Sequence, residues 1–338
     1  RSSDLSYKPI DGDPAYRSMI QSLLFGGEHE IVQARRAATA HTPSGTGALR
    51  VAGDYLKQNH AGTTIWLSEP TWANHPKVFA AAGVPTKTYR YANADVTGLD
   101  FDALREDLAK VPAGDVVLLH GCCHNPTGID PSKEQWGEIA ALLADRGVVP
   151  LLDFAYQGFG DGITQDAAGL LALAGKCREM FVCTSFSKNM SLYNERVGSF
   201  TVVADTPDAA AAALSHVKVA IRTNYSNPPA HGGAIVTTIL GDVDLTAQWH
   251  EELAAMRNRI NGIRQAFADR MAATGVERDF SYITAQRGMF SYSGLTKNQV
   301  QTLKEEHAIY IVGSGRINVA GMTESNLDRL CDAIASVL

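Results

Sequence analysis

The chain has no excess of positive charge: among 338 residues, 30 lysines and arginines face 36 aspartates and glutamates, for a formal charge of −6. The basic stripe that tracks a nucleic-acid backbone is therefore missing, and small molecules are favoured as partners. No apolar run approaches the roughly 18 residues of a membrane helix, and the start, Arg1-Ser-Ser-Asp-Leu-Ser6, carries no apolar signal region. Cysteine is scarce, five in all without regular spacing, which argues against a disulfide framework and for a reducing, cytoplasmic setting. Internal repeats and low-complexity segments are also wanting. What is present is an ordinary globular composition, 45% hydrophobic, long enough for about two domains and a large core.

Short apolar runs alternate with helical patterns. Thr63–Ser68, Pro85–Tyr91, Asp115–His120, Val148–Phe154 and the run from Phe181 to Ser185 read as strands, with a helix near 101–110 between two of them. Such alternation implies an α/β fold with a parallel sheet. Residues 1–40 read as helices and loops, Ser44 opens a capped helix, and Ile221–Gly232 reads as a turn-rich loop. Trp249, Leu253, Met256, Ile260, Ile263, Phe267 and Met271 recur at helical spacing and predict a long helix that links two domains. Beyond it, Phe280–Tyr292 and Ala308–Ala320 read as strands of a smaller α+β domain closed by a helix from about 323. The expected division is 1–256 and 257–338.

Four stretches carry chemistry. The Phe181 strand ends in Ser185, Ser187 and Lys188, with Arg196 one short loop later; burial near other cations lowers a lysine pKa and frees the amine for attack on a carbonyl. Alone, such a lysine is more often solvated. Ser44-Gly45-Thr46-Gly47 at a helix start offers unpaired amides to an anion. It is not a dinucleotide fingerprint, because Arg50 stands where a third glycine belongs, and it lacks the Gly-Lys-Ser/Thr of a nucleotide loop. Asp153 ends an apolar strand and needs a cation or a capping role. In His120-Gly-Cys122-Cys123-His124-Asn125, two histidines and two cysteines suggest zinc, but no second ligand pair lies at a usual spacing, so no metal is expected. Ser185-Phe-Ser-Lys188 also fits the acylating S-x-x-K pattern, whose companion motifs are absent.

Taken in order, Tyr7 with its Ile10-Asp-Gly12 turn, the Ser44 helix start, His124-Asn-Pro-Thr-Gly128, the Lys188–Gly198 stretch, Ile221-Arg-Thr-Asn-Tyr-Ser-Asn-Pro-Pro229 and Ser314-Gly-Arg316-Ile-Asn-Val-Ala-Gly321 resemble the aspartate aminotransferase family of class I, fold-type-I pyridoxal phosphate enzymes. The resemblance implies a large domain with a mostly parallel seven-stranded sheet between helices, and a small domain closing over the substrate. It implies pyridoxal 5'-phosphate held on Lys188 as a Schiff base, with Lys188 later moving the substrate proton. Asp153, supported by His75, would meet the ring nitrogen; Tyr156 and Asn125 the phenolic oxygen. Trp72 and Ala155 would sandwich the ring, while Ser44, Gly45, Thr46, Ser185 and Arg196 hold the phosphate, with Tyr7 from a partner subunit. Arg316 would take the α-carboxylate, with Trp72 and Asn125 beside the substrate, and Arg222 would reach across a homodimer interface to a side-chain carboxylate. Beside the family, the chain starts late and lacks an N-terminal arm and a glycine-rich substrate loop. Thr46 and Asn227 favour aspartate over aromatic substrates, so transamination between aspartate and 2-oxoglutarate with aromatic side activity is expected. An aromatic aminotransferase is the alternative, and a pyridoxal phosphate lyase or a non-catalytic ligand-sensing domain is more remote.

Overall fold

The structure is a computed structural model that describes residues 6–338. Seven strands form the main sheet: β1 (Ala37–Pro43), β2 (Ile65–Glu69), β3 (Thr86–Arg90), β4 (Val116–His120), β5 (Val149–Phe154), β6 (Met180–Ser185) and β7 (Val197–Val203). Their spatial order is β1-β7-β6-β5-β4-β2-β3. Only β7 runs against the others, so the mostly parallel seven-stranded sheet expected from the sequence is what the chain builds.

Both faces of this sheet are covered. In β4, Val116 and Leu118 join one core cluster while Val117 and Leu119 join another, which is the alternation of a strand buried on both sides. On the Val116 face pack α3 (Ser44–Asn59), α4 (His75–Ala81) and α8 (Pro207–Asn224). On the other lie α1 (Pro14–Phe25), α5 (Phe101–Leu108), α6 (Lys133–Arg146) and α7 (Ala168–Ala174). Local chemistry sets their ends: α6 starts at a Ser132/Gln135 capping box and stops at Gly147, which takes the left-handed conformation at φ 65°. The remaining elements are α2 (Glu30–Gln33), α9 (Ala230–Leu240), α10 (Val243–Ala273), α11 (Tyr282–Ala285), α12 (Lys297–His307) and α13 (Glu324–Ser336). A two-stranded antiparallel ribbon joins β8 (Phe290–Tyr292) to β9 (Arg316–Asn318).

Three sequence expectations are corrected. β1 lies where helices and loops were expected, because its Ala/Thr-rich run has weak intrinsic strand preference and is made a strand by its pairing with β7. Ile221 and Arg222 end α8 rather than opening a loop, which begins at Tyr225. The two long strands expected at 280–292 and 308–320 shrink to three residues each, since α11 takes up part of the first and positive-φ residues at Gly288, Ala308 and Gly315 break the rest.

Candidate active site

All the parallel strands deliver their C-terminal ends to one sheet edge, and the reversed β7 delivers its N-terminal end there. That edge is where open α/β sheets hold ligands. β1 leads into Ser44, β2 into Trp72, β4 into Asn125, β5 into Asp153 and Tyr156, β6 into Lys188, and Arg196 immediately precedes β7. Together with Gly45, Thr46, Ala155 and Ser185, these residues line a single cavity of about 230 Å³. Leu49, Ser187 and Tyr193 also line it.

One end of the cavity is built for an anion. α3 begins without a side-chain cap, leaving the amides of its first turn available. Arg196 Nη2 donates to Ser44 Oγ at 2.5 Å, and its Nη1 to Ser187 Oγ at 3.3 Å. The fit is close: a Cβ on Gly198 would sit 2.4 Å from Thr184 O, and one on Gly45 would sit 3.1 Å from Ser185 Cβ. Ser44 and Arg196 both adopt positive φ, 71° and 55°. Non-glycine residues held in that region store strain of order 1–3 kcal/mol each, and they gather where a ligand dictates the backbone.

The other end is built for a cation. Asp153 Oδ2 accepts from His75 Nε2 at 3.0 Å. Burial is the largest single influence and works against its ionisation, yet the His75 hydrogen bond together with the electrostatic influence of His75, His120 and Lys188 holds the carboxyl below the usual range. A relay fixes that histidine: Thr71 Oγ1 lies 2.8 Å from His75 Nδ1 and 3.2 Å from His120 Nε2, and His120 Nδ1 accepts from the Asn125 amide at 3.3 Å. Burial pushes His120 down to about 3, so it is neutral. Accepting at Nδ1, it carries its proton on Nε2 and donates to Thr71. Thr71 then donates to His75 Nδ1, and His75 presents an N–H to Asp153. The orientation of the carboxylate is thus set four residues deep.

Between the ends stands Lys188, its Nζ 4.6 Å from the Tyr156 ring centroid. Burial lowers the lysine pKa; Asp153 opposes the shift and Arg196 adds to it. Asn125 Nδ2 donates to the Tyr156 hydroxyl at 3.3 Å, and burial pushes that hydroxyl up. An anion cradle, a buried amine and an ionised carboxylate span one cavity. A compact ring carrying an aldehyde, a phosphate and a basic nitrogen fits that donor set.

Arg316 enters from β9, lies over the Phe290 ring at 4.5 Å and donates to Asn125 Oδ1 at 3.4 Å. It also borders a separate cavity of about 350 Å³ lined by residues 308–330. Tyr7 and Arg222 are not in this chain's cavity: Tyr7 is 91% exposed, and Arg222 is exposed and donates to Ser226 Oγ at 2.5 Å. Sequence reasoning missed Thr71 and His120, although both sit at strand ends inside stretches already singled out. A buried group of Cys122, Cys123 and Asp166 brings its ligand atoms within 4.8 Å. Asp166 is occupied by the amides of Gly158, Gly160 and Asp161, and burial raises both thiols, so the group is a poor cation holder.

A family model described as aminotransferase class I and II matches residues 1–334. The chain belongs to this family. It is 51% identical over 333 residues to an aspartate aminotransferase of Haemophilus influenzae, covering 98% of this chain and 84% of the relative. It is 44% identical over 332 residues to an aromatic-amino-acid aminotransferase of Pseudomonas aeruginosa, covering 98% and 83%. Among solved structures, the aromatic-amino-acid aminotransferase of Burkholderia pseudomallei, covalently bound to pyridoxal phosphate, superposes with a TM-score of 0.97 at 46% identity, covering 100% of this chain and 84% of that one. The seven-stranded sheet and its helices are thus an aminotransferase class I fold, and no helix among the described residues is long and apolar enough to cross a membrane.

Proposed function

We propose that the chain is a pyridoxal phosphate-dependent aminotransferase that exchanges the amino group between L-aspartate and 2-oxoglutarate, with side activity on aromatic amino acids. The observation that carries this reading is the Lys188 amine held between the Arg196–Ser44 cradle and the Asp153 carboxylate in one cavity. Pyridoxal phosphate, when bound, supplies an aldehyde for the lysine and an electron sink for the substrate.

The chain's own residues do the rest. Lys188, its pKa lowered by burial, takes up the substrate's α-proton and gives it back. With the cofactor bound, Asp153 would face the basic ring nitrogen and favour its protonated form. Tyr156 and Asn125 would donate to the phenolic oxygen. Trp72 and Ala155 would flank the ring, and Ser44, Gly45, Thr46, Ser185 and Arg196 would hold the phosphate. Arg316 binds the α-carboxylate bidentately. The chain divides near residue 256 into a large unit, 1–256, and a small unit, 257–338, that closes over the substrate, and it works in the cytoplasm.

Two subunits share each site in this reading. Tyr7 and Arg222 lie outside the chain's own cavity and are exposed, which suits residues donated to a partner. Mixing Lys188→Ala with Arg222→Ala protein, each strongly impaired alone on aspartate, should raise activity well above the sum of the two through sites that carry both native residues. No recovery after verified subunit exchange would remove the shared homodimer site.

Arg222 sets the substrate preference, because a paired guanidinium in a desolvated pocket discriminates a carboxylate from an apolar ring. With 2-oxoglutarate as acceptor, kcat/KM for aspartate should exceed that for phenylalanine or tyrosine. Arg222→Ala should cut the aspartate value roughly 10²-fold and the phenylalanine value much less. A wild-type enzyme that prefers phenylalanine would overturn the aspartate assignment.

A further inference from the structure

The backbone that follows Lys188 is thinly packed. A cavity of about 210 Å³ lies against Asn189, Met190 and Ser191, with Leu245, Trp249 and Met256 of α10 on its far side. Ser191 holds φ 54° and its amide donates to Lys188 O at 3.1 Å. Met190 and Leu192 pack on the core, and two polar ties fix the segment's start. Trp249 Nε1 donates to Asn189 O at 2.6 Å, and Asn189 Nδ2 donates to Gln157 O at 3.2 Å. Both side chains are buried.

The same face of α10 holds the second catalytic turn. Trp249, Leu253 and Arg257 stand at i, i+4 and i+8 and so lie in one row along the helix. Leu253 packs so closely on Gly158 that a Cβ there would sit 2.3 Å from Leu253 Cδ2, and Gly158 is at φ 96°. Arg257 Nη1 donates to Gly158 O at 2.9 Å. One helix row therefore grips the peptide just after Lys188 and the turn just after Tyr156. Farther along α10, Arg259 donates to Ala320 O at 2.6 Å, and Arg264 donates to Gly288 O and Phe290 O, beside the strand that carries Arg316.

We infer that Trp249 and Asn189 are positioning residues, which hold the Lys188 amine against the Tyr156 ring by tying the two loops to α10. The inference rests on the proposed role of Lys188 and goes beyond it, since neither residue lines the 230 Å³ cavity that holds the amine. Without the tie, the loop relaxes toward the adjoining 210 Å³ space and the amine gains water. The groups facing that amine are Asp153, Arg196 and the Tyr156 ring.

Trp249→Phe removes the indole N–H and keeps an aromatic ring. In the apoprotein, the pH dependence of Lys188 acylation, followed by peptide mapping, reports the amine pKa directly. It should rise by roughly half to one unit, the size of one neutral hydrogen bond. Asn189→Ala, which leaves α10 intact, should move it the same way. In the loaded enzyme, kcat should fall roughly fivefold to tenfold while KM changes less than twofold. Trp136→Phe, in α6 and packed on Gly169, serves as control and should lower only the melting temperature. If the folded Trp249→Phe and Asn189→Ala proteins both kept the wild-type amine pKa, whatever their Tm or kcat, the tie would be structural and the inference overturned. Failure of the transaminase reading would instead appear as no wild-type turnover, with the apoprotein readout still interpretable.

Discussion

Replacing Lys188 with alanine is expected to lower aspartate turnover by roughly 10⁴-fold or more, because one residue supplies both the covalent attachment and the proton transfer, and positioned acid–base groups alone contribute about 10²–10⁴. The variant should remain folded, since among the described residues the Lys188 amine makes no hydrogen bond or ion pair and lies over the Tyr156 ring at 4.6 Å. Its stability carries a sign. Burial depresses the folded-state pKa, so the native state disfavours the ammonium, and stability falls as pH drops from the ordinary lysine range through the folded value. Below that folded value the penalty is fully present. The alanine apoprotein should therefore melt no lower than wild type at pH 7. Near-native transamination by the variant would end the assignment of the site.

Arg316→Ala is expected to cost nearly as much, by a different route. Two charge-assisted hydrogen bonds to a carboxylate are worth about 1.5–3 kcal/mol each, and at 1.36 kcal/mol per decade their loss lowers kcat/KM by roughly 10²–10⁴. Every amino acid has an α-carboxylate, so aspartate and phenylalanine should suffer alike. Arg316→Lys should recover only part of the loss, because an ammonium over the Phe290 ring cannot present the planar fork. Steady-state kinetics on both substrates decide it: a loss confined to aspartate would reassign Arg316 to the side chain.

The sequence made the centre of the site legible where local pattern and chemistry coincide. Lys188, Asp153 and Asn125 each follow an apolar run, and a charged or amide residue at such a strand end is conspicuous. Ser44 and Gly45 were legible as a helix start. The relay through Thr71 and His120 was not, because it joins two strand ends that only the sheet order brings together. β1 was lost for a related reason: its alanines and threonines become a strand through pairing with residues far along the chain. The helical setting of Arg222 was hidden by the turn-forming residues after it, and the short β8 and β9 by the glycines around them. In each case the missing information was tertiary, not local.

Ser44 and Arg196 meet across 152 positions of sequence, and among the described residues β1, at the sheet edge, has β7 as its only strand neighbour. A chain emerging from the ribosome at about 5–20 residues per second therefore leaves β1 unpaired for roughly 10 to 30 s. A nascent polypeptide stopped after β6 already contains Asp153 but lacks the guanidinium that completes the anion cradle. It lacks Lys188 as well, so the amine and the guanidinium reach the sheet edge only with the segment that leads into β7.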